Sequence, residues 1–377
     1  MKRWRFLLMA VLVGALAVLL GSVGRSRGAS SNVVPLPVSE ATFELVQSLP
    51  SDSEPEPPEI LLPYEGPVEH IFFHPLVIYP ELAFDGDSLA QGYDDWFVTV
   101  TEFRRIVSAL YERDYVLVDF ATLLDQGANG GLERKPLLLP PGKRPLVISI
   151  DDLNYYEYMR ENGNAYKLIV GDDGIVKTFS MSPVGLPTVS VDNEIIPILD
   201  AFVAEHPDFS IRGAKGVIAL TGYEGILGYR TNDPSAPGYE QEKQEALRVV
   251  SRLKETGWSF ASHGWGHLDA RQISAGALAR DTRRWREEVE PLVGPTSIYI
   301  YPFGSVPDSG SEKFQSLQRE GFRIFCGVGP NPVLNVAEDA AYMERRHIDG
   351  MAFRTQRKLL LPFFDADRII DDLRPKS

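Results

Sequence analysis

The chain has 377 residues and a formal net charge of −14, from 38 Lys and Arg against 52 Asp and Glu. With no basic cluster beyond its first residues it is a poor nucleic-acid binder, because phosphate contacts need grouped Lys and Arg. Its single cysteine, Cys326, excludes a disulfide scaffold and a cysteine-rich zinc module, and within "FRIFCGV" it reads as a small buried hydrophobe.

Lys2, Arg3 and Arg5 precede an uncharged run, Phe6 to Val23. A positive flank before an apolar run predicts a signal peptide or N-terminal membrane anchor over residues 1–28. The anchor is preferred because no clear A-x-A cleavage site follows. The basic flank would stay cytoplasmic and the rest would be extracytoplasmic, membrane-anchored or secreted. Residues 29–66 are rich in Ser, Pro and Glu and bury too little apolar surface to fold, so they read as a disordered linker. Residues 67–377 form the catalytic-sized domain.

From His70 onward strand and helix patterns alternate. "HIFFHPLVI" reads as a buried strand and "TVTEFRRIVSALYERDY" as an amphipathic helix capped by Thr99 or Thr101. "YVLVDF" and "RPLVISIDD" are strands, and "AYKLIVGDDGIVKTFS" is a hairpin insertion about an Asp-Gly turn. The helix "DNEIIPILDAFVAEHP", strand "KGVIALTG", helix "GYEQEKQEALRVVSRLKETG" and strand "WSFAS" follow. Next come the helix "ALARDTRRWREEVEPLVG", strand "SIYIYPFG", helix "SEKFQSLQREG", strands "FRIFCGV" and "MERRHID", and a terminal helix "DADRIIDDLR". This alternation predicts a mainly parallel sheet with outer helices, open or closed into a barrel.

Functional residues on such folds gather at the carboxyl ends of strands. Three stretches have that placement: "SIDDLNYY", "SHGWGHLD" and "YPFGS". Asp151 and Asp152 are adjacent at a strand end, where successive side chains point opposite ways, so they would serve different tasks. Alone, Asp152 reads equally as the cap of a helix starting near Leu153. His263 and His267 stand four apart with Gly264 and Gly266 between them, which disfavours a helix and favours a loop. Two imidazoles and a carboxylate make an open zinc set; hydrogen-bonded loop histidines are the bland alternative.

In that order, "SIDDL", "SHGWGH" and "YPFG" resemble the T-F-D-D, H-[ST]-x-x-H and proline-aromatic-glycine motifs of the polysaccharide deacetylases of carbohydrate esterase family four. The resemblance spans roughly Glu69 to the C-terminus. It implies a distorted (β/α) barrel and removal of N-acetyl groups from an N-acetylated, GlcNAc-containing polysaccharide of the envelope or the extracellular space. It further implies one divalent metal ion, zinc by expectation, on Asp152, His263 and His267. Asp151 would be the general base toward the attacking water, and a backbone N–H near Phe303 would meet the developing oxyanion. Trp265, Tyr301 and Tyr155, with Tyr156, Tyr158 and Phe303 nearby, are candidate sugar platforms, with barrel packing the alternative for about half of them.

Three positions depart from the family's pattern. Gly264 stands where the family has Ser or Thr, and Ser262 is the candidate substitute. Ile300 stands where an arginine often orients the base, leaving Arg345 or Arg346 for that role. The family's late Leu-x-His motif is not evident, so the general acid is His347 or, as second choice, His74. Two other functions stay open: a catalytically impaired carbohydrate-binding protein on the same fold, and an amidohydrolase of a small non-sugar amide.

Overall fold

The structure is a computed structural model describing residues 60–127 and 131–375. The expected leader, 1–28, and linker residues 29–59 lie outside the described residues. Among those described, no helix is long and apolar enough to cross a membrane.

Seven strands make the frame: β1 (Glu69–Phe73), β2 (Arg144–Asp151), β3 (Gly216–Leu220), β4 (Trp258–Ser262), β5 (Ile298–Ile300), β6 (Ile324–Val328) and β7 (Ala341–His347). Each pairs in parallel with the next, and β7 returns to β1 through Arg346↔Ile71 and His347↔Phe72, which closes a barrel. The closure is uneven. Between β4 and β5 the register is a single pair, Ser262↔Tyr299. The distorted (β/α) barrel expected from the sequence is therefore the observed architecture.

Strand alternation sorts the side chains. Val147, Val217, Ala219, Ala261, Ile298, Ile300, Cys326 and Met343 make an interior cluster, while Leu146, Ile148, Ile150, Ile218 and Tyr299 pack outward under the helices. Cys326 is a free, buried thiol whose pKa burial pushes up to about 12, as its apolar neighbours imply. Phe120, Leu123, Leu124 and Leu139 join the interior cluster. They come from a segment that contains the small hairpin Leu124–Gln126/Leu132–Arg134 and lies against the first residues of β4, β5 and β6. That segment plugs the amino end of the barrel, so chemistry is left to the carboxyl end.

The outer helices are α1 (Val100–Glu112), α2 (Ile195–Glu205), α3 (Tyr239–Glu255), α4 (Ala275–Glu288) and α5 (Glu312–Arg319). Helix α1 buries Phe103, Ile106, Val107 and Leu110, one stripe at helical spacing. It starts in a capping box: Thr99 Oγ1 accepts from the Glu102 amide, and the Glu102 carboxylate accepts from the Thr99 amide.

Two expectations are corrected. The insertion is a three-stranded sheet, because Pro187–Ser190 adds to the hairpin of Lys167–Val170 and Val176–Met181. The terminal helix is a single turn, Ala366–Ile369. The chain leaves it because Asp371 and Arg374 serve the start of α1: the Asp371 amide and Arg374 Nε both donate to Glu102.

Thr99 Oγ1 also donates to Asp371 at 2.7 Å, so Thr99→Ala removes a cap and a tail contact together. It is expected to cost about 1–2 kcal/mol in urea unfolding, the upper range for a lost cap. A change within 0.3 kcal/mol, roughly the error of such measurements, would refute that account.

Candidate active site

Strand β2 delivers Asp151 as its last residue, and β4 ends immediately before His263. Strand alternation alone would send Asp152 away from the barrel axis. Instead the strand stops, Asp152 takes φ of +58°, and its carboxylate comes back to the mouth. No helix begins at Leu153; the next starts at Glu157, so Asp152 is not a cap. One ligating atom from each of Asp152, His263 and His267 lies within 4.8 Å of the others. His267 Nε2 and Asp152 Oδ2 are 3.5 Å apart, and donors about 2.1 Å from a tetrahedral zinc stand about 3.4 Å from one another.

The donor chemistry fits a divalent cation. His263 Nδ1–H donates to the Ile300 carbonyl at 2.8 Å, which leaves Nε2 with a bare lone pair at the site. Burial keeps His263 neutral by lowering its pKa, more strongly than the nearby Asp151 and Asp152 raise it. The Tyr156 hydroxyl donates to Asp152 Oδ1 at 2.6 Å, leaving Oδ2 toward His267.

Asp151 is held differently. It is buried, which raises a carboxyl pKa, but the Arg345 charge, His263 and two hydrogen bonds from Arg345 outweigh burial and bring it down to about 2. Arg345 Nη1 donates to Oδ1 at 2.7 Å and Nη2 to Oδ2 at 3.0 Å, a bidentate grip by a fully buried guanidinium. Asp151 Oδ2 stands 3.9 Å from His263 Nε2. The choice left open by the sequence is thus made by strand parity: Arg345 faces inward, whereas Arg346 pairs with Glu69. Ile300 fills the interior, and a guanidinium reaches Asp151 from β7 instead.

The histidine loop is braced from α4. Asp281 accepts from the Trp265 amide at 2.8 Å and from the Gly266 amide at 2.7 Å. Gly264 has φ of +69°, and a Cβ there would meet Asp281 Oδ2 at 2.9 Å, which explains why Ser or Thr is absent. Ser262 Oγ accepts from the Gly264 amide at 3.2 Å, the substitution expected for the missing hydroxyl. Asp281 had one readable signal: Leu278, Asp281, Thr282 and Trp285 share the buried stripe of α4, and an acid on such a stripe needs partners.

Positive φ at residues with side chains also concentrates here, at Asp152, Tyr155, His267 and Phe303. Each costs of order 1–3 kcal/mol and persists only where the surroundings impose it. The Phe303 ring is 68% exposed and lies 4.5 Å from the His267 ring.

Two of the three aromatic platforms expected from the sequence, Tyr301 and Tyr155, present no exposed face. Tyr301 alternates outward from Ile300, fully buried against Tyr299 and Phe325. Tyr155 is fully buried with its hydroxyl on Glu194. Trp265 donates to Glu288, and Arg284 covers its ring at 3.3 Å. The exposed rings are Phe303, Trp96 and Tyr158. Within the glycine- and tyrosine-rich loop after β3, Tyr223 stacks on Tyr156 at 4.7 Å, and Thr221 Oγ1 bonds the Tyr156 hydroxyl at 2.5 Å.

His347 has both ring nitrogens occupied, Nδ1 by Asp349 and Nε2 by Gln356, each at 2.7 Å. His74 follows β1, whose Phe73 is in register with Ile150 beside Asp151. Its Nδ1–H donates to the Trp96 carbonyl at 3.1 Å.

No family model matches the chain, and no curated protein matches it. Its neighbours among solved structures include deacetylases and a pseudoenzyme of carbohydrate esterase family four from Bacillus anthracis. It is similar to the Streptococcus pyogenes deacetylase PplD in complex with acetate, at 12% identity over 77% of this chain and 94% of that one, TM-score 0.43. It is similar to a de-N-acetylase from Aggregatibacter actinomycetemcomitans, at 13% identity over 79% of this chain and 100% of that one, TM-score 0.46. A chitin deacetylase from Colletotrichum lindemuthianum matches at 13% identity over 44% and 74%, TM-score 0.26. At these identities and scores the likeness carries no chemistry, which has to come from this chain's own side chains.

Arg345→Met strands a buried carboxylate and is expected to cost about 3–5 kcal/mol at neutral pH in urea unfolding. The wild-type pair contributes above the free carboxyl value, about 4, and its contribution fades as pH falls toward the folded value of about 2. The deficit of the variant must therefore shrink on acidification; a deficit independent of pH would show that the pair is not its cause.

Proposed function

We propose that this barrel is a metal-dependent hydrolase that removes N-acetyl groups from an N-acetylated, GlcNAc-containing polysaccharide outside the cytoplasm. The observation that carries the reading is the meeting, at the open end of the barrel, of a three-donor Asp152–His263–His267 set and a second carboxylate kept ionised by a buried arginine. The exposed rings of Phe303, Trp96 and Tyr158 suit the C–H faces of sugars better than a small polar amide. The uncharged N-terminal run supports an exported, membrane-tethered or secreted protein.

The division of labour follows from what each group is already bonded to. Asp152, His263 and His267 would hold the ion, zinc by its donor set, and the ion would supply Lewis-acid polarisation of the amide carbonyl and of water. Asp151, locked by Arg345 and free of the donor set, accepts the proton of the attacking water. A backbone N–H beside Phe303, in the turn held at φ of +58°, meets the oxygen as it becomes negative.

The leaving amine needs a proton, and His74 is better suited than His347 to give it. With Nδ1–H committed to the Trp96 carbonyl, the imidazolium form of His74 carries its second proton on Nε2. After transfer it relaxes to the tautomer that the carbonyl already favours. His347 would first have to break its bond to Gln356.

Purified protein is expected to bind one zinc per chain and to release acetate from chitooligosaccharides or peptidoglycan. Asp152→Ala should lose the ion. Asp151→Asn should keep it while kcat falls by about 10²- to 10⁴-fold, the range for a lost general base. Glycan binding without acetate release at full zinc loading would turn the reading into that of a carbohydrate-binding protein. Release only from small amides would make it an amidohydrolase.

His74→Ala is expected to lower kcat by a similar 10²- to 10⁴-fold, with His347→Ala changing it less than tenfold. The reverse order would return the acid role to His347.

A further inference from the structure

Beneath the Asp151–Arg345 pair lies a polar chain that the reaction as described does not use. Arg345 Nη1 donates to the Ser149 hydroxyl at 3.1 Å as well as to Asp151. Ser149 Oγ in turn lies 3.0 Å from His70 Nε2. All three residues are buried, on β7, β2 and β1 respectively. His70 sits edge-on to Phe120 at 5.8 Å, and its Nδ1 has no hydrogen-bond partner among the described residues. An imidazole in an apolar barrel with one nitrogen unpaired is costly to keep, which is what makes it worth explaining.

The proton positions follow from which groups can donate. A guanidinium only donates, so Ser149 Oγ must accept from Arg345. The tautomer with the ring proton on Nδ1 gives the Ser149 proton a partner, the bare His70 Nε2. Burial, and after it the Arg345 charge, lower the pKa of His70 well below its ordinary value, which keeps the ring neutral and able to accept. Arg345 is thereby held on several sides: Nε by the Gly327 carbonyl at 3.3 Å, its face by the Phe72 ring at 4.1 Å, and Nη1 by Ser149. The bonds left over go to the two oxygens of Asp151.

We propose that Ser149 and His70 are positioning residues of the deacetylation, holding the Arg345 guanidinium at the angle that points the Asp151 carboxylate at the attacking water. This rests on the function proposed above. Without the Ser149 hydroxyl, one Nη1 hydrogen has no acceptor and the guanidinium can rotate away from its bidentate grip. A base displaced by about 1 Å can lose about 10²-fold in rate. Neither residue belongs to the Asp152–His263–His267 set and both are buried, so ion and substrate binding are expected to be left intact.

The test uses zinc-loaded full-length protein with chitooligosaccharide as substrate. Ser149→Ala and His70→Leu are expected to lower kcat about 10- to 100-fold, with KM within about twofold and zinc stoichiometry unchanged. Ser149→Thr, which keeps the hydroxyl, is expected to restore most of kcat. Unchanged kcat in Ser149→Ala, or equal losses in kcat, KM and thermal stability that Thr does not rescue, would overturn the proposal. A crystal structure of Ser149→Ala gives the answer without turnover: the Arg345–Asp151 pair should lose its two-point contact, and an intact pair refutes the positioning role. A wild-type protein that binds zinc and releases no acetate would sink the proposed function instead, and the crystal structure would still decide the role of Ser149.

Discussion

A carboxylate inside an apolar barrel is the constraint on which the rest of this structure depends. Asp151 lies among side chains such as Val147, Ala219 and Cys326, where an unpaired negative charge would be neutralised by protonation rather than tolerated. Arg345 prevents that, and it can do so only because β7 and β2 both flank β1, which places two residues distant in sequence one strand apart in one closed sheet. The pair is a poor source of net stability, since both charges are desolvated. Its value is directional: a bidentate guanidinium fixes the plane of the carboxylate as a single hydrogen bond would not. Ring closure, rather than any local segment, therefore creates the Asp151–Arg345 pair.

The Asp152–His263–His267 cluster is built on the opposite plan. Its members come from loops, and loops are held by main-chain contacts made from outside. Asp281 spends both carboxylate oxygens on amides of the histidine loop, the Ile300 carbonyl selects the His263 tautomer, and Tyr156 takes one oxygen of Asp152. The backbone strain at Asp152, His267 and Phe303 belongs to the same design. Strained residues need surroundings that over-determine them, and here the buried helix stripe of α4 and the Tyr156–Tyr223 stack provide those surroundings.

How much of this could be read from the sequence depended on whether a residue's partner was near it in the chain. The barrel was legible because alternating strands and helices leave few other ways to bury their apolar faces. The donor set was legible because two histidines four apart between glycines, after a strand, make a poor helix and a good loop. The orienting arginine was legible only as a pair, Arg345 or Arg346, since alternation says that one faces inward and not which one. The aromatic platforms were misread for the same reason. Tyr301 lies on the outward parity that begins with Tyr299, and nothing in "SIYIYPFG" marks which parity faces the axis. Trp265 keeps a partly exposed ring in the histidine loop, and its indole N–H finds Glu288 on the following helix, a contact of tertiary origin.

Adjacent carboxylates illustrate the general point most sharply. A regular strand would have placed Asp151 and Asp152 on opposite faces, one in the barrel and one under the helices, and only one would have reached the mouth. By ending the strand at Asp151 and turning Asp152 to φ of +58°, the chain brings both to the same opening while giving them different neighbours. One meets a guanidinium and stays a locked anion; the other meets a tyrosine hydroxyl and two imidazoles and keeps an oxygen free for a cation. Two identical side chains thus acquire different chemistry from one backbone dihedral. That dihedral is costly for a residue with a Cβ, so it persists at Asp152 only because the surrounding contacts impose it.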